Sequence, residues 1–138
     1  MPKFHVAAAA LLAALSLAAA ADAAPLEVGE IRLRASGGEF RGYGATRRNH
    51  LEDVIWRFRP DGTVTSLSQI VRRYGGGMSS VQFEEYRDAG SWRIEGGRLC
   101  VEFQSVHRDL NGCYGVDGAG GDHVNLVGPV QFRGTLGR

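Results

Sequence analysis

Two-residue alternation is the feature that most narrows what this chain can fold into. In residues 53–59, DVIWRFR, the side chains of Val54, Trp56 and Phe58 share one parity, and mostly charged side chains hold the other. Successive side chains of a strand point to opposite faces, so this run predicts a strand with one buried face. The turn RPDGT follows, and TVTSLSQIV resumes with β-branched residues. Residues 53–71 are therefore predicted to form a hairpin.

A second hairpin is predicted from SWRIE and RLCVEF, which are joined by Gly96 and Gly97. A two-glycine connection accepts the positive backbone angles that tight hairpins prefer. Inward positions are predicted on the later segments as well: Trp92, Ile94, Leu99, Val101, Phe103, Tyr114, Val116, Val124, Leu126, Val130 and Phe132. Counted from EIRLR near residue 30, there are about eight short strands. We expect an all-β fold, a single small antiparallel β-barrel or sandwich of about eight strands.

The amino-terminal segment has the composition of a secretory signal. Lys3 precedes a run of alanine and leucine over residues 6–21, and Ala21-Asp22-Ala23 supplies the small residues of a cleavage site. We therefore assign residues 1–23 to a cleaved signal peptide and residues 24–138 to one β-barrel domain. The run is shorter than the ~20 residues of a spanning helix, so we expect no integral membrane span after cleavage. Lys3 is the only lysine among many arginines, which suggests a bacterial protein that is periplasmic or secreted.

The two cysteines, Cys100 and Cys113, allow one intramolecular disulfide bond. An exported chain meets an oxidising compartment, where such a bond persists. If the cysteines are opposed across antiparallel strands, Leu99 faces Tyr114 and the inner faces agree, with the bond on the outer parity. A metal pair or a redox pair is the alternative. Neither is favoured, because the chain has no CxxC motif and no histidine pair at ligand spacing.

Catalytic motifs are sparse. In SVHRDLNG, His107 could act as an acid or base oriented by Asp109, or the segment could be a polar turn, and we favour the turn. The serines lack a GxSxG setting. We expect the protein not to be an enzyme and to bind no metal and no cofactor. The formal net charge is only +1 and the chain is predicted to be exported, so we expect no nucleic-acid partner.

The order of FRPDGTV, GSWRIEGGRLCVEF and CYGV, over residues 54–117, resembles small secreted proteobacterial proteins of unknown function with a lipocalin-like (calycin-like) β-barrel. The resemblance implies a barrel without known catalysis and a mouth for an apolar small molecule. In lipocalins a GxW motif lies at the start of the first strand, whereas Gly90-Ser91-Trp92 comes late here. No ligand residue is therefore carried over.

Two functions follow as expectations. The first is a secreted or periplasmic non-catalytic binding module for a small apolar or amphipathic ligand, with Trp56, Phe58, Trp92, Phe103 and Tyr114 lining the barrel interior. The alternative is a protein-directed role, such as inhibition of an exported hydrolase or a cell-envelope contact, through loops 73–80 and 105–112. A barrel filled by these aromatic side chains would disfavour the first, and a cavity among them would disfavour the second.

Overall fold

Eight antiparallel strands close into one barrel in which every strand pairs with its neighbours along the chain and β8 pairs with β1. The structure, a computed structural model, describes residues 24–45, 51–74 and 80–138. The predicted signal peptide, residues 1–23, lies outside the described residues, as does the centre of loop 73–80. The elements are α1 (Val28–Ala35), β1 (Glu39–Ala45), β2 (Leu51–Phe58), β3 (Thr63–Tyr74), β4 (Ser80–Glu95), β5 (Arg98–Phe103), β6 (Gly112–Gly118), β7 (His123–Val127) and β8 (Gln131–Gly137).

Both predicted hairpins are confirmed. Gly62 has a φ of 88° in the β2–β3 turn, where the Asp61 carboxylate accepts hydrogen bonds from the backbone N–H and the hydroxyl of Thr63. Gly96 and Gly97 have φ angles of 58° and 75° between β4 and β5. Two consecutive positive angles are typical of the two-residue turns that suit the twist of paired strands. We call the end of the barrel that carries these two turns the lower end, and the opposite end the upper end.

The predicted inward positions are confirmed: their side chains are buried, except that Trp92 and Ile94 on β4 are partly buried and pack against the core. The strand predicted at EIRLR is wrong, because these residues belong to the helix α1. Ile31 and Ala35 stand one helical turn apart and are both fully buried in the barrel core. Since α1 leads into β1 at the lower end, it brings an apolar stripe to that end of the barrel.

The strand that sequence reasoning missed is β1, and its glycines explain the omission. Gly42 and Gly44 take the inward positions that hydrophobic residues would mark in an ordinary strand. A Cβ atom on Gly42 would lie 2.5 Å from the Phe40 ring and 2.5 Å from the Arg133 carbonyl oxygen. Glycine therefore lets β8 and the Phe40 ring approach the backbone of β1 where the barrel closes.

The predicted disulfide bond is present between Cys100 and Cys113, which are opposed across β5 and β6, with Leu99 opposite Tyr114. The bond has the predicted outer parity, although the Cys100 side chain is buried rather than exposed. Within the described residues, no helix is long and apolar enough to cross a membrane.

Candidate functional site

The lower half of the barrel interior is filled by aromatic rings. Trp56 lies at the centre, with the rings of five neighbours at centroid distances of 5.4 to 6.5 Å: Phe40, Phe58, Phe103, Tyr114 and Phe132. Four of the five predicted ligand residues belong to this cluster. The fifth, Trp92, packs against Phe58 at 5.5 Å, and its indole N–H donates to the carbonyl of Arg59 at 2.7 Å. The predicted lining residues thus contact one another and fill the lower half of the barrel, which is the outcome expected to disfavour a ligand site among these rings.

Above this cluster the inner wall becomes polar. Ser66 and Ser68 take consecutive inward positions on β3, opposite Trp56 and Val54 of β2 and opposite Asp88 and Tyr86 of β4. Both serines are buried. A core built only for stability places apolar side chains at such positions. The row Val64, Ser66, Ser68, Ile70 therefore has two polar residues in the middle of an otherwise apolar strand face.

The loop between β5 and β6, residues 104–111, folds into the upper half of the barrel. β5 pairs with β4 only from Gly90 to Glu95, so the edge of β4 above Gly90 is without a paired strand on that side in the described ranges. The loop covers this gap and buries His107 and Leu110 in the interior. The segment does turn, as predicted, but His107 within it is buried inside the barrel.

Asp88 of β4 fastens this loop. Its carboxylate accepts hydrogen bonds from the backbone N–H groups of Ser105 at 3.0 Å, His107 at 2.9 Å and Ala89 at 2.7 Å. Partial burial by itself raises the pKa of Asp88. These three N–H groups and the nearby His107 imidazole outweigh that effect, so the pKa lies below its usual value. At the other end of the loop, the Asn111 side chain accepts from the Phe103 N–H and donates to the Phe103 carbonyl.

A buried Ser–His pair lies under the loop. The hydroxyl of Ser68 and Nε2 of His107 are joined by a hydrogen bond of 2.8 Å. This distance suits a nucleophile and its base. However, the two residues are only 1% and 4% exposed, and Asp88 binds the backbone of His107 rather than accepting a hydrogen bond from its ring. Asp109, the partner considered from sequence, is not among these contacts. The arrangement pins the loop into the barrel.

The interior polar atoms that lack a hydrogen-bond partner among the described residues include Trp56 Nε1 and Ser66 Oγ. Trp56 and Ser66 are directly opposite each other across β2 and β3, and are 0% and 3% exposed. Leaving a buried polar group unsatisfied costs about 1–3 kcal/mol, so native proteins keep few of them. Two such atoms on facing positions mark the place where the aromatic half meets the polar half.

Further polar side chains line the top of the inner wall. Glu52 of β2 is buried, and the Tyr86 hydroxyl donates to the Glu84 carboxylate at 2.5 Å on β4. Sequence reasoning missed Glu52, Ser66 and Ser68, although each has the same parity as the apolar residues of its strand. Extending the alternation through the polar positions would have found them. His107 and Ser68 are 39 residues apart along the chain, and no pattern in the sequence indicates that they come together.

No three His, Cys, Asp or Glu side chains meet in a metal-binding cluster within residues 24–45, 51–74 and 80–138. Comparisons with protein-family models, with curated proteins and with solved structures found no match to this chain. In the part of the chain that the structure describes, the fold is a small closed barrel of eight antiparallel strands with one short α-helix, and this fold defines the class of protein.

Proposed function

We propose that the barrel is a non-catalytic binding module for a small amphipathic molecule. The supporting observation is the pair of unsatisfied atoms, Trp56 Nε1 and Ser66 Oγ, at the boundary between apolar and polar interior. The indole N–H is a donor only, and the hydroxyl donates or accepts. A ligand with an apolar body and a hydrogen-bond acceptor, such as a ketone or ester oxygen, supplies what both atoms lack.

Access of a ligand to the barrel interior depends on loop 104–111. Because the aromatic rings are in contact, a ligand needs space that His107 and Leu110 occupy in the closed barrel. The loop is fastened by hydrogen bonds to Asp88, Ser68 and Phe103 and lies over the unpaired edge of β4. Its withdrawal opens the upper half without breaking a strand ladder. Binding therefore selects an open state in which this loop has moved.

The protein-directed alternative has less support in the described residues. That alternative places the contact surface on loops 73–80 and 105–112. The second of these loops buries His107 and Leu110 rather than presenting them to a partner. Residues 75–79 of the first loop lie outside the described residues.

The proposal includes export and a lipocalin-like character. A closed eight-stranded barrel is consistent with a lipocalin-like fold. The Cys100–Cys113 bond fits an oxidising compartment such as a bacterial periplasm. The intact mass of protein recovered from its own compartment tests the export proposal. It should match a chain that begins at Ala24 and has lost two hydrogens to the disulfide, whereas a full-length mass with two free thiols would contradict it.

The test of the binding function uses Prodan, a naphthalene ketone whose emission shifts to the blue in apolar surroundings. We expect saturable binding to the full chain. Ser66→Ala should weaken it by about 2- to 12-fold, the equivalent of one hydrogen bond of about 0.5–1.5 kcal/mol. Without probe, the same variant should be as stable as the parent or more stable, because the removed hydroxyl has no partner.

Ser91→Ala is the matched control, since Ser91 lies on the exposed outer face of β4, and it should change neither quantity. Absence of Prodan binding to the parent chain would refute the proposed function in this form. Unchanged affinity in Ser66→Ala, combined with a loss of stability, would instead identify Ser66 as the partner of an internal water molecule.

A further inference from the structure

A groove of about 840 Å³ runs across the outside of β7, β8, β1, β2 and β3. Strand register arranges its lining side chains in two adjacent cross-strand rows. The upper row is Asn125, Arg133, Tyr43, Asp53 and Gln69. The lower row is His123, Thr135, Arg41 and Ile55. The side chains of both rows lie on the outer face of five neighbouring strands.

The side chains of the upper row have open hydrogen-bonding capacity. In the described part of the chain, no hydrogen bond or ion pair holds any of its five side chains, and Tyr43 is 51% exposed. Elsewhere on the same outer face the charges do find partners. Glu39 accepts hydrogen bonds from Arg41 at 2.9 Å and from Arg57 at 3.0 Å. The open hydrogen-bonding capacity is thus concentrated in one row that crosses the groove.

The chemistry of this row selects the kind of ligand. Arg133 and Asp53 flank Tyr43 with opposite charges, so the row is close to neutral and favours neither a polyanion nor a polycation. Carboxylate, guanidinium and amide groups each present two hydrogen-bonding atoms in one plane, which suits pairs of neighbouring hydroxyl groups. The exposed Tyr43 ring offers an apolar face to the C–H side of a sugar ring.

A protein partner is less well matched, because the core of a protein interface is apolar and depleted in charge. Here charged and amide side chains stand on both sides of Tyr43 in the upper row: Arg133 and Asp53 are next to it, and Asn125 and Gln69 lie beyond them. The volume lies within the range of about 300–1,000 Å³ that is usual for small-molecule sites.

We propose that the outer groove binds a neutral oligosaccharide. One sugar ring stacks on Tyr43, and its hydroxyl groups are bound by Asp53, Arg133 and the flanking amides. The two binding sites are separate: this one is formed by outward side chains, and it needs no movement of loop 104–111.

The test is an amide chemical-shift titration of the full chain with cellotetraose, chitotetraose and maltotetraose at about millimolar concentrations, the affinity range of a shallow site. We expect at least one of them to shift amide signals of both rows and to leave the signals of loop 104–111 unchanged. Tyr43→Ala should lower the affinity by about tenfold or more, whereas Tyr43→Phe keeps most of it because the ring face is retained. Asp53→Asn should weaken binding several-fold.

The control is Leu33→Ala, a substitution at an exposed position of α1. This variant should bind the sugar as tightly as the parent does. Tyr43 is exposed, so its variants should fold, and a dispersed amide spectrum verifies this. The proposal is overturned if no tetrasaccharide shifts the two rows, or if Tyr43→Ala binds as tightly as the parent. It is also overturned if an acidic peptide produces saturable shifts there and no sugar does.

Discussion

The two halves of the barrel interior differ in kind. The lower half is a closed aromatic cluster in which Trp56 touches five other rings. The upper half is held by hydrogen bonds from a loop, among them the Ser68–His107 and Asp88–His107 contacts. Ring contacts are numerous and hard to break singly, whereas a few hydrogen bonds that exchange with water contribute only about 1 kcal/mol each. We therefore expect the lower half to set stability and the upper half to be the part that opens.

Replacing a ring in the lower half should have the largest effect on stability. Trp56→Ala removes the centre of the cluster and should lower the free energy of unfolding by about 3–5 kcal/mol in chemical denaturation. Phe103→Leu, a smaller truncation, keeps the measurement possible if the alanine variant does not fold. Tyr43→Ala on the outer face is the aromatic control and should cost less than about 0.5 kcal/mol. A similar cost for Tyr43 and Phe103 would contradict the division.

Loss of the disulfide should have the next largest effect, and it should fall on the upper half. The bond joins β5 to β6 and closes the segment that contains loop 104–111. Cys100→Ala with Cys113→Ala should lower stability by about 3 kcal/mol, the value for a closed loop of roughly 15 residues.

Hydrogen exchange locates this effect. In the disulfide-free variant, amides of residues 104–111 should exchange faster than in the parent by a larger factor than amides of β2. Uniformly faster exchange would show that the bond supports the whole barrel rather than the loop.

Sequence reasoning reached the lower half because its signals are local. Alternation placed Trp56 and Phe58 inward, and Gly96-Gly97 marked the hairpin that brings Trp92 and Phe103 to the same core. The cysteine pair then set the register of β5 and β6. Each of these inferences needs only neighbouring residues or one unique pairing, and the barrel confirms them.

The upper half could not be predicted from the sequence, and the reason is physical. Nothing local tells His107 to turn inward, because its position depends on where β5 stops pairing with β4 and on a carboxylate 19 residues away along the chain. β1 was missed because Gly42 and Gly44 serve the approach of β8, a partner at the far end of the sequence. The outer groove shares this dependence, since β1 and β8 form its middle.

The smallest expected effect concerns Asp88 and has a defined pH dependence. Its pKa in the folded protein is lowered, so the stabilisation by the carboxylate is fully present above the unfolded value of about 3.9. That contribution is lost as the pH falls through the folded pKa. Because two of its three hydrogen bonds come from the loop residues Ser105 and His107, we expect acid to release the loop first.

Asp88→Asn keeps one acceptor oxygen but removes the charge, and should cost about 1–2 kcal/mol at neutral pH, since hydrogen bonds to charged groups are worth more than neutral ones. The difference between parent and variant, measured by denaturation across pH, should stay constant from neutral pH down to about 5 and shrink below about 4. Asp109→Asn, in the same loop, tests the partner suggested by sequence and should differ from the parent by less than about 0.5 kcal/mol. If Asp109→Asn is the more damaging of the two, the loop is fastened from its own tip and not from β4, and the upper half is not opened by weakening Asp88.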